Sequence, residues 1–107
     1  MASIGTNVRH AAINQSGAAT TTLVADPGDG LAIVVLGIVL SSDTTGTALF
    51  QDGAATALAG EVNLLAGSPL VVGFSGVPVL RVTASESLQL VTSQECNGWI
   101  AYTIDTA

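Results

Sequence analysis

The chain has 107 residues and a net charge of −6, with Arg9 and Arg81 as its only lysine or arginine side chains. Nucleic-acid binding, which needs several Lys or Arg to meet phosphates, is excluded by that balance, and attachment to an anionic membrane surface is disfavoured for the same reason. Apolar residues make up 49% of the chain and charged residues 9%, against about 25% charged in an ordinary soluble domain.

The length suits one domain with one core. The aromatics are few (Phe50, Phe74, Trp99 and Tyr102), so the core is expected to be aliphatic. A surface this poor in charge is expected to be covered in part by partner subunits. The single cysteine, Cys96, makes neither an intrachain disulfide nor a cysteine metal site. Met1-Ala-Ser-Ile-Gly-Thr-Asn lacks the charged region and apolar run of a signal peptide.

Residues 1–17 are small and polar, with scattered apolar positions at Ile4, Val8 and Ile13. They read as an extended N-terminal arm that orders against a neighbour, with 8–15 as a weak strand at best. The remainder, 18–107, reads as the folded domain. Residues 18–25 are Thr-rich and β-branched and predict a strand. Asp26-Pro27-Gly28-Asp29-Gly30 ends it, since Pro presets φ and the glycines permit positive φ.

Residues 31–40 are the most apolar stretch, ten residues without a polar side chain. They are too short to span a bilayer as a helix, which takes about 20 residues. They predict a strand apolar on both faces. Strict alternation puts Leu31, Ile33, Val35 and Val39 on one face and Val34, Leu36, Ile38 and Leu40 on the other. A two-sheet sandwich has one interior, so one of these faces needs separate cover.

Further strands are expected at 47–51, 61–66, 70–74, 79–84, 87–93 and 99–104. Asp52-Gly53 and Asn97-Gly98 are read as tight turns, and Gly67-Ser68-Pro69 and Ser75-Gly76-Val77-Pro78 as breaks. Leu70, Val72 and Phe74 share a face, as do Leu80 and Val82, Leu88 and Leu90, and Ile100, Tyr102 and Ile104. All three prolines fall in breaks. Eight or nine short strands with turn signals every 8–12 residues predict an all-β fold, a β-sandwich or jelly roll.

Little in the sequence carries chemistry. There is one His, one Cys and no Lys, so no nucleophile and base pair suggests itself. Asp26, Asp29, Asp43 and Asp52 sit beside turns, where Asp bonds the backbone, and they do not form an Asp-x-Asp-x-Asp-Gly calcium loop. The glycines lie at strand breaks, not before a helix, so no phosphate loop is present. Trp99 and Tyr102 are three apart and fall on opposite faces of a strand, which argues against one glycan platform. The chain therefore reads as a non-enzyme without cofactor or metal.

Five segments carry a family resemblance: Leu36-Gly-Ile-Val-Leu-Ser-Ser, Ala48-Leu-Phe-Gln-Asp-Gly, Leu64-Leu-Ala-Gly-Ser-Pro-Leu-Val-Val, Ala84-Ser-Glu-Ser-Leu-Gln-Leu and Gly98-Trp-Ile-Ala-Tyr-Thr-Ile. Over residues 36–104 the chain resembles the small virion proteins of tailed bacteriophages, the head decoration (cement) proteins in particular. The resemblance implies a structural protein made in the host cytoplasm and placed on the capsid surface of the virion. It implies a homo-oligomer, a trimer by preference, that binds the major capsid protein and clamps the lattice without an active site. A receptor-binding or tail-fibre-type β module and a carbohydrate-binding module are the alternatives. The residues expected to face a sister subunit or capsid are Val8, Ile13, Val34, Leu36, Ile38 and Trp99.

Overall fold

The computed structural model describes residues 8–73 and 77–106. They form nine strands: β1 (Arg9–Gln15), β2 (Ala19–Val24), β3 (Leu31–Ser41), β4 (Gly46–Asp52), β5 (Val62–Leu64), β6 (Leu70–Gly73), β7 (Leu80–Arg81), β8 (Leu88–Thr92) and β9 (Cys96–Thr106). There is no helix among the described residues.

Two antiparallel sheets stack as a sandwich. One has the order β1-β9-β3-β6, with β7 also on β3, and the other has the order β2-β8-β4-β5. β6 pairs with residues 37–40 of β3 and β7 with Val34 and Val35, so the two short strands fill one edge position in tandem. Chain neighbours cross between sheets except at β4–β5 and β6–β7, and the order matches the eight-position jelly roll. The expectation of an all-β sandwich holds.

The core lies between the sheets and is aliphatic. Ile13, Ile33, Val35, Ile38, Leu40, Phe50, Leu64, Val82, Leu88, Leu90, Cys96 and Ile100 all belong to it. Fully burying one such large side chain is worth about 1.5–3 kcal/mol. The face-alternating pattern of β8, with Leu88 and Leu90 fully buried, is what the sequence predicts for a strand with one face inward.

Four expectations need correction. Arg9–Gln15 is not part of an arm reaching a neighbour: it is β1, an edge strand paired with β9 from Arg9↔Tyr102 to Gln15↔Cys96. Ala11, Ile13 and Gln15 turn inward there, and that burial outweighs the weak strand propensity of the segment. Residues 1–7 lie outside the described residues, as does Phe74.

The second correction concerns β3. Its register with β9 shifts between Val35 and Gly37, so Leu36 is the extra residue of a β-bulge. The bulge inverts the alternation. Ile38 and Leu40 join Ile33 and Val35 in the core, while Val34 and Leu36 lie on the other side with Ala101.

Third, Asn97-Gly98 is not a turn but lies within β9, paired with both β1 and β3; the connection before it is residues 93–95. Gly98 has φ 150°, and a Cβ there would run into the carbonyl of Val39. Glycine serves here for close approach of two backbones rather than for reversal. Fourth, 79–84 contributes only the two-residue β7, extended by the bonds Val79 N→Val35 O and Val82 N→Ile33 O.

Candidate interaction surfaces

The outer faces of the two sheets differ. On the β1-β9-β3-β6 sheet, pairing aligns Ala12, Trp99, Val39 and Val71 in one row across four strands. Trp99 is 39% exposed and Val71 62%, and Val39 between them is half-buried. His10 meets the Trp99 ring edge-on, with centroids 5.3 Å apart. One row of this face is therefore apolar and aromatic from edge to edge. Farther along the same face, Val34, Leu36 and Ala101 form a small buried cluster.

The outer face of the other sheet carries Thr22, Gln89 and Gln51 in one row. Gln51 Nε2 donates to Gln89 Oε1 at 2.8 Å. The next row is Thr20, Val91 and Leu49. An amide and hydroxyl row of this kind is at home in water. The β2-β8-β4-β5 face thus sets a polar row beside one that carries Val91 and Leu49, and the outward-facing tryptophan is on the other sheet.

Among the six residues expected at an interface, Val8 is exposed (38%) and Trp99 lies on the outer face. Val34 and Leu36 are also on that face but buried within it. Ile13 and Ile38 are in the chain's own core, fully buried and 4% exposed, so they are not on a partner-facing surface. The bulge at Leu36 puts Ile38 inside, and the inward phase of β1 does the same for Ile13. Val39 and Val71 were not among the expected residues. Their signal appears only once β3, β6 and β9 are placed in register.

A cleft of about 370 Å³ opens at the end of the sandwich where β1 and β2 meet. Its lining includes Arg9, Val24, Pro27, Leu31, Tyr102 and Ile104. Arg9 is exposed, and among the described residues no carboxylate lies in ion-pair range of it. Arg81, by contrast, sits 3.6 Å from Asp105 and donates to the Thr106 carbonyl at 2.9 Å. The sequence flagged Arg9 only as one of two arginines.

The carboxylates are used for architecture. Asp52 is buried; its Oδ2 accepts from Thr83 Oγ1 at 2.7 Å, and its Oδ1 from the amides of Ala54 and Thr56. The Thr83 hydroxyl, followed by the Thr56 amide, holds the Asp52 carboxyl below the ordinary carboxylate value. Glu95 Oε1 accepts from Ser42 Oγ at 2.8 Å and from the Asp43 amide, and the Ser42 hydroxyl is the main cause of its lowered pKa. Asp26 Oδ1 accepts from the Gly28 amide at 2.8 Å. These are turn-holding roles, as expected for Asp26 and Asp52.

Cys96 is a fully buried free thiol, and burial pushes its pKa up. Among the described residues there is no group of three or more His, Cys, Asp or Glu placed to hold a metal ion. No described helix is long and apolar enough to cross a membrane.

No known protein family and no curated protein matches the sequence. Solved structures do resemble the fold. A protein of Bacillus endospore appendages, a family of disulfide-linked pili, is 14% identical with a TM-score of 0.50, and the match covers 99% of this chain and 95% of that one. A chain in the structure of infectious bursal disease virus Gx strain is 18% identical with a TM-score of 0.39, over 89% of this chain and 32% of that one. A chain of the T13 particle of the same virus is 19% identical with a TM-score of 0.38, over 90% and 31%. At such identities the pilus protein likeness supports the fold alone: the chain is an all-β, two-sheet sandwich.

Proposed function

We propose that this chain is a non-enzymatic structural subunit of an ordered protein assembly. In its finer form the reading is a capsid decoration protein that binds the major capsid protein of a phage head as a homotrimer, on the virion surface. The observation that carries it is the apolar row Ala12–Trp99–Val39–Val71 on one outer face, set against the Thr22–Gln89–Gln51 row on the other. An exposed apolar face on a domain this poor in charge is a docking face.

Trp99 is the natural anchor, because a large aromatic at the centre of a patch carries a disproportionate share of binding energy. Val8, exposed just ahead of β1, extends the docking surface in this reading, while Val34 and Leu36 are buried behind it with Ala101. A stable contact of standard size buries about 1,600 Å², and several such contacts per oligomer add multivalently. The named spore appendages are disulfide-linked pili; the thiol of Cys96 here is sealed in the core, so this reading rests on packing rather than on cross-links.

The test is to mix the purified chain with empty phage heads, expanded and unexpanded, and to measure its mass in solution alongside. A trimer that saturates expanded heads and ignores unexpanded ones is the expected result. A monomer that binds neither refutes the reading.

A further inference from the structure

We propose that two copies of this chain pair edge to edge through β1, antiparallel and related by a two-fold axis at Ala12. The contact goes beyond the assembly reading above, which uses the outer face of this sheet; it uses the free edge.

Four edges bound the two sheets: β1 and the β6/β7 pair on one, β2 and β5 on the other. Three of them carry features that keep edges from pairing, namely shortness or a bulge. β5 has three residues, β6 four and β7 two. β2 shifts register between Thr22 and Val24. β1 instead runs seven residues in unbroken register with β9, with neither proline nor lysine, and its one charged residue, Arg9, stands at the end.

Ladder parity identifies the backbone groups that β1 leaves over. The carbonyls of Leu31, Ile33 and Val35 accept from the amides of Ser85, Val82 and Val79, on the side of β3 away from β9. Bonding direction alternates along a strand, so Ala32 and Val34 bond β9, at Asp105 and Thr103. The extra residue of the bulge is on β3, and the alternation of β9 is intact. Tyr102, Ile100, Gly98 and Cys96 therefore face β1 and bond Arg9, Ala11, Ile13 and Gln15. That leaves His10, Ala12 and Asn14 with N–H and C=O aimed outward, and among the described residues nothing bonds them.

A second β1 centred on Ala12 satisfies all of these groups. Ala12 exchanges two bonds with Ala12 of the second copy, and His10 exchanges two with Asn14 of the second copy, on both sides of the axis. Moving the axis by one residue either way sets His10 or Asn14 opposite a residue outside the strand. The strand is thus its own complement, as an isologous contact requires. Side chains agree with this register. Small, exposed Ala12 meets itself on the axis, Arg9 falls opposite uncharged Gln15, and the two guanidiniums stand about 20 Å apart along the strands. The pairing also sets the row Ala12–Trp99–Val39–Val71 of each copy end to end, so the two apolar rows become one.

The experiment is sedimentation equilibrium of the full chain, of Ala12→Lys, of Ala12→Glu and of an equal mixture of the two variants, each shown by circular dichroism to keep the wild-type fold. The axis sets position 12 opposite itself, so like charges meet in either variant alone and opposite charges meet in the mixture. At high protein concentration the wild type is expected to hold an even number of chains, as a dimer or as a pair of trimers. Each variant alone is expected to pair about tenfold more weakly, and the mixture to recover the pairing. A mixture no tighter than the separate variants overturns the two-fold contact. A wild-type trimer that Ala12→Lys leaves unchanged also overturns it and leaves the assembly reading intact. A wild type that stays monomeric overturns both.

Discussion

Gly98 lies directly beneath the carbonyl of Val39 in the ladder that joins β9 to β3, and a methyl group on Gly98 would overlap that oxygen. Both strands are central to their sheet, with β1 and the β6/β7 pair as the edges, so neither backbone can move aside without dragging a second ladder. Gly98→Ala is therefore expected to destabilise the fold by about 1–3 kcal/mol through overpacking, read as a lower urea midpoint with unchanged m-value. Asn97→Ala, one residue away on an exposed position, is the control and should change little. Equal effects for the two would show that Gly98 is not held by close approach.

The bulge at Leu36 assigns Val34 and Val35 to different worlds. Val35 is in the sandwich core, fully buried; Val34 is on the outer face and opposite Arg81. A carboxylate at 35 has no partner, and the cost of an isolated buried charge rivals the entire stability of a domain, about 5–15 kcal/mol. Val35→Asp should abolish the cooperative thermal transition. Val34→Asp places its carboxylate beside Arg81 and should retain a cooperative transition at lower temperature while loosening the oligomer. Loss of folding in both variants would contradict the assignment of faces.

Acid should unfold this protein through Asp52 and Glu95. Both carboxyls have pKa values lowered by hydrogen bonds, Thr83 chief among the causes for Asp52 and Ser42 for Glu95. A carboxyl whose folded pKa lies below its unfolded value binds more protons when unfolded. The stability it contributes is thus complete above the ordinary carboxylate pKa and is lost as pH falls through the lowered one. Urea midpoints should be flat from about pH 7 to about pH 5 and fall below about pH 4. Thr83→Val with Ser42→Ala should flatten that acid limb. An acid limb as steep as the wild type's in this double variant is the outcome that sinks the account.

The outer row makes a separable prediction. Val71 is exposed on an edge strand, where charge is tolerated by the isolated sheet. Val71→Asp should leave the melting temperature nearly unchanged, within the about 0.5 kcal/mol typical of surface changes. Trp99→Ala should cost more stability, because Trp99 also packs against His10. Both should lower occupancy on capsids or any other partner lattice. Full occupancy by both variants would place the docking face elsewhere.

Composition and alternation sufficed for much of the architecture. An aliphatic chain with few aromatics, turn signals at regular spacing and prolines confined to breaks is read as a β-sandwich because period-two burial and turn chemistry are local properties. Leu88, Leu90 and Ile100 are expected on inward faces by that rule, and all three are fully buried in the core. The turn-binding roles of Asp26 and Asp52 are local in the same sense.

Other features depend on contacts between distant residues. A bulge at Leu36 inserts one residue into the alternation and moves Ile38 and Leu40 to the opposite face, an event set by pairing with β9 and invisible to a fixed period. Ile13 reads as an arm residue until β9 offers Gly98 as its partner. The same holds for the row of Trp99, Val39 and Val71, and for Arg9 standing over a cleft lined by Leu31 and Ile104. The sequence alone determined that this is a charge-poor β protein with too few basic groups for nucleic acid. Only the tertiary structure decided which apolar side chains fill the core and which remain for a partner, because facing is fixed by register across strands that lie far apart in the chain.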